Sequence, residues 1–348
     1  MIPFDELKID AILVSALPNI RYLSGFTGDN ALLLVTPQSQ TLFTDPRFAI
    51  QASEECKCAV KIAPRGPVDP YAVEAIRRKK LKRVGFEASR MIYDVYQRLK
   101  EALPLGTTLK PIGPVIENLR MVKTQDEINR IRRSVRTNSQ AFEKTIQSVR
   151  PGVSESSIAA ELEFQMRRMG AEKAAFETIV AVGPRSALPH ARPGVQKAGV
   201  NDLLLIDMGA CQDGYMSDMT RVLFFGKVSR RIREMYTAVL NAQLAAIAAV
   251  REGVTAEQVD RKARQVLESE GLGKAFVHST GHGLGLEIHE PPRVGRRDKT
   301  RLQAGMAITI EPGAYIQGFG GIRIEDTVLV TKNGCEILTP TSKELMVL

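Results

Sequence analysis

The chain has 348 residues, 44% of them apolar, and a formal net charge of +9. That length exceeds what one hydrophobic core usually organises, so two domains are expected. No apolar run approaches the roughly 20 residues needed to cross a bilayer, and the start, Met1-Ile-Pro-Phe-Asp-Glu-Leu7, lacks the basic head and apolar stretch of a secretory signal. The four cysteines, Cys56, Cys58, Cys211 and Cys335, are scattered and show no zinc-type spacing. The reading is a reduced, cytoplasmic protein. The excess of base raises the question of nucleic acid. Its densest run, Arg77-Arg-Lys-Lys-Leu-Lys-Arg83, ends a helical pattern and has no interleaved aromatics to stack on bases. Basic residues there complement a helix C-terminus, and neither nucleic acid nor a membrane is expected as a partner.

Along the chain, short apolar or β-branched runs at 11–15, 31–36, 41–44 and 83–86 predict strands, and helical patterns occupy 71–80 and 92–103. They make an α/β domain over residues 1–118. Within it, residues 22–28 read as an apolar, glycine-punctuated loop. Pro104, Gly106, Pro111, Gly113 and Pro114 read as a linker. A second domain, 124–348, opens on a charged helix with Thr124 as N-cap and Glu127 completing a capping box.

This second part contains a repeat. Val149-Arg-Pro-Gly-Val-Ser154 returns as Val250-Arg-Glu-Gly-Val-Thr255, 101 residues on, each opening a helix that ends near a glycine, Gly170 or Gly271. Acids repeat as well. Asp207 and Asp218 bound one hairpin pattern, Glu311 and Glu325 another, offset by 104 and 107 residues. Similar offsets in helices and hairpins argue for a duplicated α+β unit with pseudo-twofold symmetry. Each acid sits at the end of an apolar strand pattern, a costly place unless the charge is paired or bound to a cation. A salt bridge to Arg221 or Arg323 explains any one of them; four in duplicated positions favour a metal centre.

The chain's histidines are concentrated beside these acids. His278, His282 and His289 lie in one twelve-residue stretch, and His190 lies in a turn-rich segment. Histidine with Asp and Glu, and no cysteine, suits Mn²⁺, Co²⁺ or Zn²⁺. A cluster this acidic suggests two ions sharing bridging carboxylates. The string Gly281-His-Gly-Leu-Gly285 lacks the Lys-Ser/Thr of a phosphate loop. Its glycines are expected to let the backbone approach metals and substrate closely. His289-Glu290 does not open a zincin motif, because Arg293 stands where a second histidine is required.

Together, His278-x₃-His282-Gly-x-Gly-x₃-His289, Glu311-Pro-Gly and Gly321-Ile-Arg323-Ile-Glu325-Asp resemble the signature of the pita-bread metallopeptidases. Arg21-Tyr-Leu-Ser-Gly-Phe-Thr-Gly28 and Thr44-Asp-Pro-Arg47 resemble the creatinase-type N-terminal domain of the Xaa-Pro dipeptidase (prolidase) and aminopeptidase P branch. The resemblance covers essentially the whole chain. It implies a creatinase-like α/β domain before a pita-bread catalytic domain. It implies metal ligation by Asp207, Asp218, His282, Glu311 and Glu325, with Asp207 and His282 on different ions, Glu311 joining His282, and Asp218 and Glu325 bridging. Glu311 would shuttle a proton, His278 or His289 would stabilise developing negative charge, and His190, His289 and Arg323 would meet the substrate. The expected activity is hydrolysis of the Xaa-Pro bond in short proline-containing peptides, with two divalent ions, Mn²⁺ before Co²⁺ or Zn²⁺, in a homodimer. A prolidase is the first reading. An aminopeptidase P acting on longer peptides is the alternative, and a non-catalytic pita-bread binding protein the remoter one. No residue in the sequence decides between the first two.

Overall fold

In the computed structural model, which describes residues 2–348, the chain forms two compact units, Met1–Arg120 and Met121–Leu348. The first unit is a mixed six-stranded sheet with helices. Its elements are β1 (Ala11–Val14), α1 (Leu17–Ser24), β2 (Ala31–Val35), β3 (Gln40–Thr44), α2 (Ala49–Glu55), β4 (Ala59–Ile62), α3 (Asp69–Arg78), β5 (Arg83–Glu87), α4 (Tyr93–Ala102), β6 (Thr108–Ile112) and α5 (Val115–Met121). The sheet order is β4-β3-β2-β1-β5-β6, antiparallel in the β1–β2–β3 meander and parallel elsewhere. β1 and β2 are buried at every position, as central strands covered on both faces should be.

Three readings of this region need correction. The segment expected to be a linker carries β6, paired in parallel with β5 from Thr108 to Ile112. Pro111 is tolerated because β6 is an edge strand. The expected loop at 22–28 is helical as far as Ser24. Pro18 sits in the first turn of α1, where its missing N–H costs nothing, and Gly25 at φ 85° ends the helix. Of the basic run, only Arg77 and Arg78 lie in α3; Lys80 takes a left-handed φ of 52° and Arg83 already belongs to β5.

The second unit begins with α6 (Gln125–Ile146) and α7 (Glu155–Arg168), then β7 (Lys173–Ala174), β8 (Ile179–Val182), β9 (Leu203–Met208), β10 (Ala210–Gln212), β11 (Tyr215–Met216) and β12 (Met219–Phe224). The second half repeats this plan. It has α8 (Arg230–Ala249), α9 (Ala256–Ser269), β13 (Gly281–Gly283), β14 (Glu290–Val294), β15 (Ala307–Ile310), β16 (Gly313–Ile316), β17 (Gly320–Arg323) and β18 (Asp326–Val330), followed by β19 (Cys335–Ile337) and β20 (Met346–Val347). β9 pairs with β12 and β15 with β18, both antiparallel, in separate sheets of order β20-β12-β9-β8 and β14-β13-β15-β18-β19. The duplication read from the sequence is therefore present in the fold.

Local chemistry explains the helices. Thr124 accepts from the Glu127 N–H while Glu127 reaches back to the Thr124 N–H, the expected capping box. Ser154 and Thr255 cap α7 and α9, and Gly170 (φ 105°) and Gly271 (φ 72°) follow their ends. On α6, Ile128, Ile131, Val135 and Phe142 fall on one buried face. The polar residues among them are used too: Ser134 Oγ donates to the Ala210 carbonyl and Asn138 Nδ2 to the Met208 carbonyl. These bonds satisfy backbone groups where the chain leaves β9. One core packs Phe142, Leu162 and Ile158 against Leu204, Ile206 and Leu223. A second packs Val239, Val259 and Leu267 with Leu205, Val222, Ile308 and Val328, thus joining strands of both sheets. Each such side chain contributes about 1.5–3 kcal/mol on full burial.

Removing the cap should separate local from global stability. Thr124→Ala is expected to cost about 1 kcal/mol of unfolding free energy, read from a urea titration, without altering the chemistry of any site.

Candidate metal centre

The four acids converge because both hairpins present their ends to the same place. Asp207 is the fifth residue of β9, Asp218 immediately precedes β12, Glu311 immediately follows β15, and Glu325 immediately precedes β18. Each lies at the edge of a buried apolar strand, so apolar packing fixes where the carboxylate points. His282 is the central residue of β13. Its Nε2 lies 3.5 Å from Asp218 Oδ2 and 3.6 Å from Glu311 Oε1. One ligand atom each from Asp218, His282 and Glu325 falls within 4.8 Å of the others. Asp207 joins the same cavity, its Oδ2 held by Arg323 Nη2 at 2.5 Å.

Electrostatics distinguish this cluster from a satisfied ion-pair network. Asp207 Oδ1, Asp218 Oδ1 and Glu325 Oε1 are buried with no hydrogen-bond partner among the described residues. Burial pushes the Asp218 carboxyl well above the usual carboxylate range, and the Glu325, Asp207 and Glu311 carboxylates push it further. Burial and the neighbouring acids do the same to Glu325. Glu311 is raised to about 8, mainly by burial, although Arg323 works in the other direction. Unpaired buried carboxylates are strongly unfavourable. A hard or borderline divalent cation satisfies the unpartnered oxygens and offsets the repulsion, and an oxygen-rich set with one imidazole suits such an ion. The residues present fit the metal.

The histidines divide into two pairs. His282 and His278 are the more enclosed, and burial lowers both to about 4, so both are neutral at physiological pH. His282 Nδ1 faces the Gly283 carbonyl at 3.0 Å, which can only accept, so its Nε2 lone pair is directed at the acids. His278 Nδ1 donates to the Ser279 carbonyl at 2.8 Å, and its Nε2 accepts from the Tyr315 hydroxyl at 2.9 Å. That hydroxyl in turn accepts from Arg323 Nη1. Both nitrogens of His278 are thus occupied. His289 and His190 instead line the open part of the cavity, and the His289 ring stands edge-on to His282 with centroids 4.4 Å apart. Burial, followed by the nearby His190, lowers the His289 pKa.

Arg323 is a buried organising cation. Besides Asp207 and Tyr315 it donates to Thr220 Oγ1 at 3.0 Å and to the Pro189 carbonyl at 3.2 Å. Burial opposes its charge, but Tyr315, Asp207, Glu311 and Glu325 outweigh that cost and raise its pKa. Thr220 Oγ1 passes a hydrogen bond to Glu325 Oε2 at 2.7 Å. The residues missed by sequence reasoning, Thr220 and Tyr315, are the relays of this network. Neither has a sequence signal except that Thr220 lies two residues after Asp218 and so shares its face of the strand. The 276–282 loop is held by Asp260 and Arg264 of α9. Asp260 Oδ1 accepts from Thr280 N and Oγ1, and Arg264 donates to Asp260 and to the His278 carbonyl.

The glycines of this loop allow close packing. A Cβ on Gly281 would strike the Thr309 carbonyl, and one on Gly283 the Pro291 carbonyl. The close approach that these positions show is to neighbouring backbone, which seats β13 against β15 and β14. The cavity above the acids has a volume of about 950 Å³. Its walls are apolar at Phe176, Ile179, Pro189, Ile288 and Pro291, and Arg293 lies on its lining. The Arg293 guanidinium is exposed and has no carboxylate partner among the described residues.

Comparison with known proteins agrees with this geometry. Residues 129–332 match the model of metallopeptidase family M24, and residues 4–122 match the creatinase/prolidase N-terminal domain. The chain belongs to metallopeptidase family M24, whose members carry divalent metal ions. It is 38% identical to an Xaa-Pro dipeptidase of Pyrococcus horikoshii over 98% of this chain and 96% of the relative. Among solved structures, an Xaa-Pro dipeptidase from Bacillus anthracis superposes with a TM-score of 0.96 at 38% identity, covering 99% of this chain and 97% of the other. An X-Pro aminopeptidase from Thermotoga maritima gives 0.93 at 36% identity, covering 99% of both chains.

Two outcomes follow from the site. Gly281→Ala should prevent β13 from seating against β15 and give a protein that is insoluble or fails to bind divalent metal by calorimetric titration. The second concerns pH. In the metal-free protein Glu311, Asp218 and Glu325 retain protons that the unfolded chain, with carboxyls near pH 4, has released. Their stabilisation is complete below that value; the share of Glu311 is lost as pH rises through about 8, and those of Asp218 and Glu325 are likewise lost at higher pH. His278 and His282 act oppositely, but only below their unfolded value of about 6.5. From pH 7 to 8.5 the melting temperature of the metal-free protein should therefore fall more steeply than that of the metal-loaded protein. Parallel melting curves would contradict the assignment.

Proposed function

We propose that the chain is a metal-dependent Xaa-Pro peptidase acting on short peptides, a dipeptidase (prolidase) in the first instance. The observation that carries this reading is the set of buried, partly unpartnered carboxylates beside His282, at the base of an apolar-walled cavity with two accessible imidazoles. Asp207, Asp218, His282, Glu311 and Glu325 are proposed to hold two divalent cations, with Mn²⁺ favoured over Co²⁺ and Zn²⁺ because the set is oxygen-rich. When bound, such cations lower the pKa of water and polarise a carbonyl oxygen.

The remaining steps belong to the chain. Glu311, whose carboxyl holds a proton up to about pH 8 without metal, sits where it can take a proton from an attacking water and return it to the imino nitrogen. A prolyl bond has a tertiary amide, with no N–H to recognise, so selection rests on shape. Phe176, Ile179 and Ile288 supply apolar surface for the ring. His289 is free to donate to the developing oxyanion; His278 serves instead to orient Tyr315 and, through it, Arg323. Arg323 spends its donors on Asp207, Thr220, Tyr315 and Pro189, which favours a positioning role over a grip on substrate.

Arg293 favours the dipeptidase reading, because its unpaired guanidinium on the cavity lining suits the free carboxylate that follows proline. The aminopeptidase reading is supported by the likeness to the Thermotoga maritima enzyme. We take the chain to act as a cytoplasmic homodimer, consistent with its free cysteines and its creatinase-type N-terminal domain.

A peptide panel tests the function. After reconstitution with Mn²⁺, Co²⁺ and Zn²⁺ in turn, Xaa-Pro should be cleaved faster than Xaa-Pro-Yaa, and a chelator should abolish both activities. Glu311→Gln should lower kcat by about 10²–10⁴. Arg293→Ala should raise KM for Xaa-Pro while sparing Xaa-Pro-Yaa. Equal cleavage of both substrates by the wild type would move the assignment to an aminopeptidase, and no cleavage by the metal-replete protein would favour a binding role.

A further inference from the structure

The two hairpins that supply the acids belong to separate sheets, and no backbone ladder joins β12 to β18. One backbone hydrogen bond, from the Glu325 N–H to the Thr220 carbonyl at 3.3 Å, and one from Thr327 Oγ1 to the Asp218 carbonyl at 3.0 Å tie the two hairpins directly. Further joints hold Asp218, just before β12, against the repulsion of Glu325, just before β18. On the cavity side the joints are side chains already described: Thr220 to Glu325, and Arg323 to Asp207 and Thr220. On the opposite side lies a network that the proposed chemistry does not use.

Arg221 alternates with Thr220 along β12 and so faces away from the cavity. Its relative exposure is 0%, exceptional for an arginine. Its five N–H groups all find acceptors. Nε donates to the Ser342 carbonyl at 2.9 Å, and Nη1 to the Thr220 carbonyl at 2.9 Å and the Glu325 carbonyl at 2.5 Å. Nη2 donates to Asp326 Oδ1 and the Thr341 carbonyl, both at 2.7 Å. Asp326 Oδ2 accepts from Gln243 Nε2 of α8 at 2.8 Å and from Lys343 Nζ. Lys343 also donates to Gln243 Oε1, and the Tyr236 hydroxyl donates to the Lys343 and Glu344 carbonyls.

The C-terminal segment ties this network to both sheets. β19 pairs with β18, and the Thr327 N–H reaches Thr339 Oγ1. Nine residues after β19 ends, β20 begins and pairs with β12 at Leu223 and Phe224. Thr341, Ser342 and Lys343, between these attachments, are the residues that meet Arg221 and Asp326. The strap therefore starts on the sheet carrying Glu325, crosses the buried arginine, and ends on the sheet carrying Asp218.

We propose that Arg221, Asp326 and Lys343, closed by the strap at 338–348, are positioning residues of the metal centre. They hold the backbone at Glu325 against β12, so that carboxylates from two separate sheets stay at ligand distance despite their mutual repulsion. The inference rests on the metal reading above, because it assigns these residues a role toward the ions. Two cations and one anion form the network. The guanidinium is matched by carbonyls and one carboxylate, and Lys343 by the second carboxylate oxygen, so loss of any member leaves a buried charge or carbonyl unsatisfied. Side chains standing behind metal ligands typically tune affinity or activity roughly 10- to 100-fold.

The test uses the full chain and reads metal binding apart from peptide cleavage. Lys343 is the accessible member, with 20% of its side chain exposed, so Lys343→Met should fold. Asp326→Asn and Arg221→Lys probe the buried members. Mn²⁺ affinity is measured by competition with a chromophoric chelator, and the stability of the metal-free protein by calorimetry. Thr124→Ala serves as a control that loses stability at a helix cap far along the chain. The expected result is a Mn²⁺ affinity for Lys343→Met reduced by about tenfold, larger losses for the buried variants, recovery in Lys343→Arg, and unchanged affinity in Thr124→Ala. Where Xaa-Pro is cleaved, kcat should fall with little change in KM. Lys343→Met and Asp326→Asn proteins that melt earlier but bind Mn²⁺ within twofold of wild type would overturn the proposal and leave the network a structural one. A wild-type protein that binds no Mn²⁺, Co²⁺ or Zn²⁺ would instead overturn the metal reading itself.

Discussion

Four carboxylates in one buried cavity repel one another and lose their hydration together. That is expensive to fold, and the arrangement of the second unit answers it. Arg323 is the cation placed directly among them, and its ion pair is with Asp207. Three carboxylate oxygens are left unpartnered, and the Asp218, Glu311 and Glu325 carboxyls are pushed upward. An apolar replacement would relieve this strain at once, as buried ion clusters generally allow. The cluster makes physical sense as one half of a site completed by divalent cations.

Duplication is the structural answer to bringing so many acids together. A single antiparallel hairpin has two strand ends at one side and so can offer two acids to one point. Two hairpins related by the internal repeat offer four. The cost is that the hairpins sit in different sheets, where no ladder of backbone hydrogen bonds fixes their separation. Beyond one backbone bond from Glu325 to Thr220 and one from Thr327 Oγ1 to the Asp218 carbonyl, the joint is made by side chains: Thr220, Arg323 and Tyr315 on the cavity face, and Arg221 with Asp326 on the other. Such joints are directional and admit few alternatives, whereas a purely apolar contact tolerates small slips. The apolar core shared by the two sheets supplies the bulk of the burial, and the polar pins set the register.

The histidines show how environment assigns different tasks to one residue type. His278 and His282 are both buried and neutral, yet a carbonyl at each Nδ1 leaves one Nε2 for a hydroxyl and the other for the acids. His190 and His289 line the open part of the cavity. Spacing in the chain gave the set a common location but not this division, because ring orientation depends on Tyr315, thirty-seven residues away from His278.

Much of the fold could be read from local pattern. The Thr124 capping box, the N-caps Ser154 and Thr255, and the glycine stops of α7 and α9 depend on residues three or four apart, so they appear where the chain predicts them. The internal repeat was also legible, because both hairpins had to keep acids at equivalent strand ends. The errors arose where tertiary context overrides local signal. Proline and glycine between 104 and 114 mark a turn-prone segment, but an edge strand accepts Pro111, and only the presence of β5 beside it makes that segment a strand. Residues 22–28 likewise read as a loop until the first three are seen to end a helix that starts at Leu17.

By itself the sequence determined the family signature, the kinds of donor gathered there, and the class of ion those donors suit, since donor chemistry and repeat spacing are properties of the chain. The tertiary structure decided which oxygens stay unpartnered, that Arg323 serves Asp207, that the glycines of 281–283 seat strands, and that Arg221 lies buried between two sheets. Several of these are relations between residues more than a hundred positions apart, as from Arg221 to Thr341 or from Arg323 to Asp207. No local propensity encodes such a contact; it exists only once apolar packing has brought the strands together.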